Sequence, residues 1–545
     1  MDIRATTENA LPRQAASERP GGRRPGHGVA VGALTLLVAV GYSAFALGFY
    51  HTFQTSSYDL VIFDQAVRSY AHFSPGISIV KGLHNGFGPH FSILGDHWSP
   101  ILASLAPLYW IHSSPVTLLV AQAVLFALAI PPLWVFTRRA FGGGQKGVAA
   151  AYLVSVAYAL SWPLASALAF DFHEVAFAPV LTAVALERLQ AGRLRTALIA
   201  LAALLLVKED MGLFVAGIGI YLAVSRPRTV SRQLAVGLGL IVAGIADTVI
   251  ATYVLIPAFG GRSSYYWGYS ALGPNAPHAA WHMITDPASL RLMVTPDVKL
   301  QTMLWLFGAF CFLSLRSPMA LATIPLLLER MLSNKFGNWW VTGYQYNAYL
   351  VAILAFSAVD GAARLDRQLL RRWHRRAEQA DADDHGYGGQ AARSPRSPWS
   401  AGPWSLGLGC AAAMCVVSVA LVPHFAFGAA LHPKFWHRTK QENAAAAAVA
   451  KVPSGVTVQA VNNLGPQLSS RDTVLLWDGD GTTPTLDGSW VVANIRQPQF
   501  TFRGGVREQR QRVAFLERNG YQVVFKRDGY LVLHRRTVHR RTGGG

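Results

Sequence analysis

Apolar runs broken by short polar connections fill most of the chain up to about residue 425. The first run, Val29–Tyr50, follows an Arg-rich start and reaches the roughly 20 residues needed to cross a hydrocarbon core. No small-residue cleavage site follows it, which predicts an uncleaved first helix rather than a signal peptide. Further spans are predicted at about 115–137, 147–168, 233–256 and 404–424, with others between them. Ser99–His112 is apolar but short and carries Pro100 and Pro107, which predicts an interfacial or re-entrant segment. The stretch 196–224 holds Lys208-Glu209-Asp210 at its middle. One span there would bury three charges at about 2.5–3.5 kcal/mol each, so a hairpin with the charges at its tip is predicted.

This pattern gives an α-helical polytopic membrane protein of about eleven spans in the plasma membrane. The Lys and Arg residues of the short connections set its orientation. The expected parts are a basic cytoplasmic tail (1–28), a transmembrane domain (29–360) with a long outer loop (51–98), a flexible cytoplasmic linker (361–403) and a last span (404–424). From about residue 430 short alternating runs replace the long apolar ones. Val456-Thr457-Val458, Val474–Trp477, Trp490–Ile495, Tyr521–Phe525 and Tyr530–His534 read as strands, and Arg-rich 506–518 as a helix. A small extracytoplasmic α/β domain over 430–540 follows.

Composition agrees: 52% of residues are hydrophobic and only 14% charged, which excludes an ordinary soluble multidomain chain. The net charge of +19 raises nucleic acid as a partner. The cations sit in short connections and the C-terminal tail, and no basic helix with interleaved aromatics is present, so that class is set aside. The three cysteines, Cys311, Cys410 and Cys415, all lie in apolar runs, which excludes a disulfide framework or a Cys-based zinc site.

The chemistry-bearing residues gather on one predicted side. Asp59 and Asp64 open the first outer loop, where a carboxylate beside a bilayer is costly unless solvated, paired or used. Asp96, His97, Asp171, His173, Glu174, Lys208, Glu209, Asp210, Arg330, Lys335, Tyr346 and Asn347 fall on the same face as candidate substrate-binding residues. Such a pocket suits glycosyl transfer from a polyprenyl-phosphate-sugar lipid to a glycan, lipid or protein acceptor of the cell envelope. A carboxylate would deprotonate the acceptor and a cation would neutralise the departing phosphate. Asp59 and Asp64 lie about 140° apart on a helix, so one is expected to be the base and the other an orienting or metal-binding group. Asp96, His97, His173 and Glu174 are the candidate ligands for a divalent cation, Mg or Mn. Plainer roles stand beside these: Asp96-His97 as a helix cap, Lys208-Glu209-Asp210 as a self-neutralising turn, and the aromatic clusters as an interfacial belt. A transporter or lipid flippase, which would want ionisable groups near the midplane, and a non-catalytic envelope-assembly protein are the alternative classes.

Four ordered blocks carry a resemblance. Tyr58-Asp59-Leu60-Val61-Ile62-Phe63-Asp64-Gln65, Leu94-Gly95-Asp96-His97-Trp98-Ser99-Pro100, Phe170-Asp171-Phe172-His173-Glu174 and Val207-Lys208-Glu209-Asp210 are similar to the signature blocks of domain of unknown function 2079, a family of prokaryotic membrane proteins. The similarity continues to Tyr346-Asn347 and into Asn462-Asn463-Leu464. Gln345 stands where that family usually has His. The family in turn resembles the GT-C superfamily of integral-membrane glycosyltransferases, which implies a GT-C-like membrane domain and an acidic base just after the first helix. By position Asp59 matches that base, with Asp64 as its competitor.

Overall fold

The computed structural model describes residues 26–225, 231–385, 405–478 and 489–535. A helical bundle occupies the first part of the chain and a small sheet domain the last. Among the described residues six helices are long and apolar enough to span a membrane: Gly26–His51, Pro115–Ala140, Gln145–Ala169, Arg232–Ala258, Gln345–Arg372 and Leu406–His424. Six by length and hydropathy is fewer than the eleven expected. The difference lies in short segments such as Leu194–Leu204, Met211–Val224, Val298–Gly308 and Ile324–Leu332. Each is helical where a span was expected, but well short of a full crossing.

Prolines set several of the breaks. Pro115–Ala127 yields to Ile130–Ala140 around Pro131-Pro132, and Gln145–Ala159 yields to Trp162–Ala169 just before Pro163. A ring nitrogen has no proton for the i→i−4 ladder, so the chain re-enters the helix with a new axis. In the window of Gln345–Arg372, 83% of residues are buried, against 22% for Arg232–Ala258, so the former is the central pillar and the latter faces lipid. Leu238, Val242, Ile245 and Val249 form the exposed apolar stripe of that outer helix. Met211–Val224 packs against it through glycine: a Cβ on Gly212 would fall 2.3 Å from the Gly244 carbonyl oxygen. Small residues of this kind let membrane helices approach closely.

The expected hairpin over 196–224 is present as Leu194–Leu204 and Met211–Val224, with Lys208-Glu209-Asp210 in the turn between them. Ser99–His112 forms a short 3-10 turn and the helix Ala106–Ile111 rather than a span. The linker differs from expectation. Helix Ala348–His385 runs on past Asp360, so residues 361–385 are helical. Charge density suggested flexibility there, yet Arg, Gln and Leu are all good helix formers. Residues 386–403 of the linker, and 1–25 of the N-terminal tail, lie outside the described residues.

The C-terminal domain is a five-stranded sheet. Its strands are β1 (Thr457–Ala460), β2 (Thr473–Leu476), β3 (Trp490–Asn494), β4 (Tyr521–Arg527) and β5 (Tyr530–Arg535), in the order β2-β1-β3-β5-β4. β1 runs parallel to β2 and β3, and β5 antiparallel to β3 and β4. The β4–β5 turn is Asp528-Gly529, both at positive φ, and helix Gly505–Arg518 precedes the hairpin.

Candidate active site

Asp59 sits in a single π-helical turn, Ser57–Val61, that leads into the helix Ile62–Ala71. Such turns are uncommon and recur at functional sites. Leu60 and Val61 are buried beneath it, while Asp59 turns into a cavity of about 510 Å³. Its carboxylate is held from two sides. Ser56 Oγ donates to Oδ2 at 3.2 Å, and His173 Nε2 lies 3.4 Å from Oδ1. Behind it, Asp171 Oδ2 accepts the Ser56 backbone N–H at 2.8 Å. Asp171 adopts a left-handed backbone (φ 70°), and burial together with Asp59 pushes its carboxyl well above the usual carboxylate range.

His173, Glu174, Lys208, Lys335 and Tyr346 also line the cavity. Lys81 and Asp96 form a buried ion pair at 2.9 Å on its wall, with Tyr266 O–H donating to Asp96 at 2.7 Å. His97 Nδ1 lies 2.7 Å from Glu209 Oε1, and Trp98 N–H donates to Glu209 Oε2 at 3.1 Å, so the first loop is tied to the hairpin tip. Lys208 lies 3.5 Å from Asp210. Burial lowers the Lys208 pKa, but Asp210, Glu209 and Glu174 outweigh it and hold the ammonium well above the usual lysine value. Lys335 makes no ion pair among the described residues, which leaves it the uncommitted cation of the cavity wall.

A second cavity of about 360 Å³ shares Asp96, His97, Lys208 and Tyr346 with the first. It continues past Glu209, Asp210 and Arg330 to Ile245, Val249 and Ile256 of the lipid-facing helix. Arg330 is fully buried, donating to the Trp339 carbonyl at 2.7 Å and to Asn347 Oδ1 at 2.9 Å, so these two residues brace the floor.

Asp64 is wholly buried away from both cavities, accepting from Arg68 Nη2 at 2.7 Å, Tyr109 O–H at 2.7 Å and Ser469 O–H. Both carboxylate oxygens are engaged, so Asp64 ties its helix to Tyr109 and Ser469. Of the four candidate metal ligands, all of which line the first cavity, three are engaged elsewhere: Asp96 with Lys81, His97 with Glu209 and His173 with Asp59. Among the described residues no three His, Cys, Asp or Glu side chains gather as a group that could hold a metal ion.

Lys81 escaped the sequence reading. Its one signal is a lone cation in the apolar Ile79–His84 helix, and its partner Asp96 lies on a separate segment of the same loop. Tyr265 and Tyr266 stand against Lys81.

Residues 50–382 match the family model described as a predicted membrane protein, DUF2079. The chain belongs to this family. The matched region carries every cavity-lining residue from Tyr58 to Tyr349, while the sheet domain lies beyond it. No curated protein matches the chain. Among solved structures, ArnT from Cupriavidus metallidurans bound to undecaprenyl phosphate superposes with a TM-score of 0.51 at 14% identity, covering 94% of this chain and 98% of ArnT. The apo state of the same ArnT gives 0.46 at 14% identity, over 93% and 98%. The first likeness shows a shared fold.

Proposed function

We propose that this protein is a membrane glycosyltransferase that moves a sugar from a polyprenyl-phosphate donor to an extracytoplasmic cell-envelope acceptor, with inversion at the anomeric carbon. The observation that carries this reading is the placement of Asp59. It opens on a cavity that also holds Lys208 and Lys335, and that cavity meets a second one leading to the lipid-facing helix. A solved structure of the same fold, ArnT, holds undecaprenyl phosphate.

In this reading the polyprenyl tail lies along Ile245, Val249 and Ile256, and the phosphate reaches Lys208 and Lys335. Asp59 takes the proton of the acceptor hydroxyl as that oxygen bonds to the anomeric carbon. The bond from that carbon to the phosphate oxygen breaks, and polyprenyl phosphate leaves. Negative charge grows on the phosphate as the bond breaks, so fixed cations there help most in the transition state. The carboxylate must stand within hydrogen-bond reach of the acceptor proton, a condition that an open cavity wall meets and the enclosed Asp64 does not. Asp96 and Glu209, committed to Lys81 and His97, shape the wall rather than react.

Purified protein in lipid nanodiscs, given labelled polyprenyl-phospho-sugars and an envelope extract as acceptor, tests the proposal. It predicts release of polyprenyl phosphate with label passing to the acceptor. No donor turnover with any polyprenyl-linked sugar would refute it.

A further inference from the structure

Among the described residues the sheet domain hydrogen-bonds to the Asp59 turn through Asn462. Asn462 lies two residues past β1, at the carboxyl end of a strand flanked by two parallel neighbours. Its side-chain Oδ1 accepts the Tyr58 backbone N–H at 2.9 Å. Its backbone carbonyl accepts the Ser57 N–H at 2.7 Å and the Ser57 hydroxyl at 2.9 Å. These are the two residues immediately before Asp59, at the open end of the π turn, where backbone N–H groups have no partner within their own helix.

The approach is close. A Cβ on Gly465 would fall 2.0 Å from Ser57 Oγ, so the domain can seat on the turn only with glycine there. Flanking contacts hold other parts of the loop: Gln467 donates to the Tyr50 carbonyl at 2.7 Å and Gln65 to the Val474 carbonyl at 2.9 Å. Among the described residues the Asn462 side chain makes no other hydrogen bond, so its oxygen serves the turn and not its own domain.

We infer that the C-terminal sheet domain is a positioning device for the reaction centre, with Asn462 as the positioning residue that fixes the π turn and so aims the Asp59 carboxylate. The inference rests on the glycosyl-transfer reading for its catalytic half and on the hydrogen bonds alone for its structural half. Asn462 touches neither cavity and is not a catalytic residue. A misplacement of about 1 Å in a reacting group costs on the order of 10²-fold in rate.

The test compares wild type, Asn462→Ala and Asn462→Asp in the full-length protein, by hydrogen exchange and by sugar transfer. In Asn462→Ala the Tyr58 amide should lose protection while β1, β2 and β3 exchange as in wild type. Its kcat should fall by about 10²-fold, with KM for the lipid donor within about twofold, because the phosphate and tail contacts are untouched. Asn462→Asp keeps an acceptor oxygen and should restore both the protection and most of the rate. Unchanged Tyr58 protection in Asn462→Ala overturns the inference, and so does full kcat with protection lost. If wild type transfers no sugar, the proposed function fails, and the exchange data alone still decide whether Asn462 pins the turn.

Discussion

Asp59 and His173 meet across the cavity mouth, with His173 Nε2 3.4 Å from Asp59 Oδ1. The two residues come from segments more than a hundred positions apart, and the imidazole is held by Phe170 stacked on one side (15° between planes) and Phe63 edge-on at the other. His173 thus fixes which way the carboxylate faces. Replacing it with Ala frees Asp59 to rotate and should lower kcat by up to about 10²-fold with little change in donor KM. His173→Gln, which retains a donor at that reach, should recover part of the loss in the same transfer assay.

Asp64 gives the contrasting case. In Asp64→Asn the Arg68 ion pair is lost and a buried donor is left short of its acceptor, which costs about 1–3 kcal/mol. Thermal unfolding should show a lower midpoint for this variant, while the folded fraction turns over at close to the wild-type rate. A stable but inactive Asp64→Asn would return Asp64 to the chemistry.

The His97–Glu209 pair predicts a pH signature. Burial lowers the His97 pKa, but Glu209 and then Asp96 outweigh it and the net shift is upward; burial raises the Glu209 pKa, but His97 outweighs it and the net shift is downward. The histidine's contribution is full below its ordinary value of about 6.5 and is lost as pH rises through its elevated folded value. The glutamate's is full above about 4.3 and is lost as pH falls through its depressed folded value. The Tm difference between wild type and Glu209→Gln should therefore be largest between about pH 4.3 and 6.5 and shrink on either side. A difference that stays flat from pH 4 through pH 9 would mean that the bond carries no ionic part.

Much of this was legible in the chain, for reasons particular to each segment. Charges inside an apolar stretch have few affordable places, so Lys208-Glu209-Asp210 had to be a turn. Short apolar runs bounded by turn residues marked all five strands of the last domain. The choice between Asp59 and Asp64 was not legible, because the partners that close off Asp64 are Tyr109 and Ser469, 45 and 405 positions away. Lys81 was hidden for the same reason: its ion pair with Asp96 joins two separate segments of the first loop. The docking of Asn462 on the Asp59 turn likewise depends on contacts about four hundred residues apart, which no local pattern encodes.

Orientation has its own test. Phe73 stands 88% exposed just after the helix that bears Asp64, in the loop proposed to lie outside the cell. Phe73→Cys, in a background lacking Cys311, Cys410 and Cys415, should react with a membrane-impermeant thiol reagent in intact cells. Labelling only after the membrane is opened would place the site on the cytoplasmic side.

The central claim is that Asp59 activates the acceptor. Its most direct measurement is sugar transfer from a labelled polyprenyl-phospho-sugar by wild type and by Asp59→Asn, each checked for folding by thermal unfolding. Removal of a general base costs about 10²–10⁴ in rate, so Asp59→Asn should lose transfer by that factor while binding the donor lipid and unfolding at the wild-type temperature. A well-folded Asp59→Asn that transfers sugar at the wild-type rate would contradict the account.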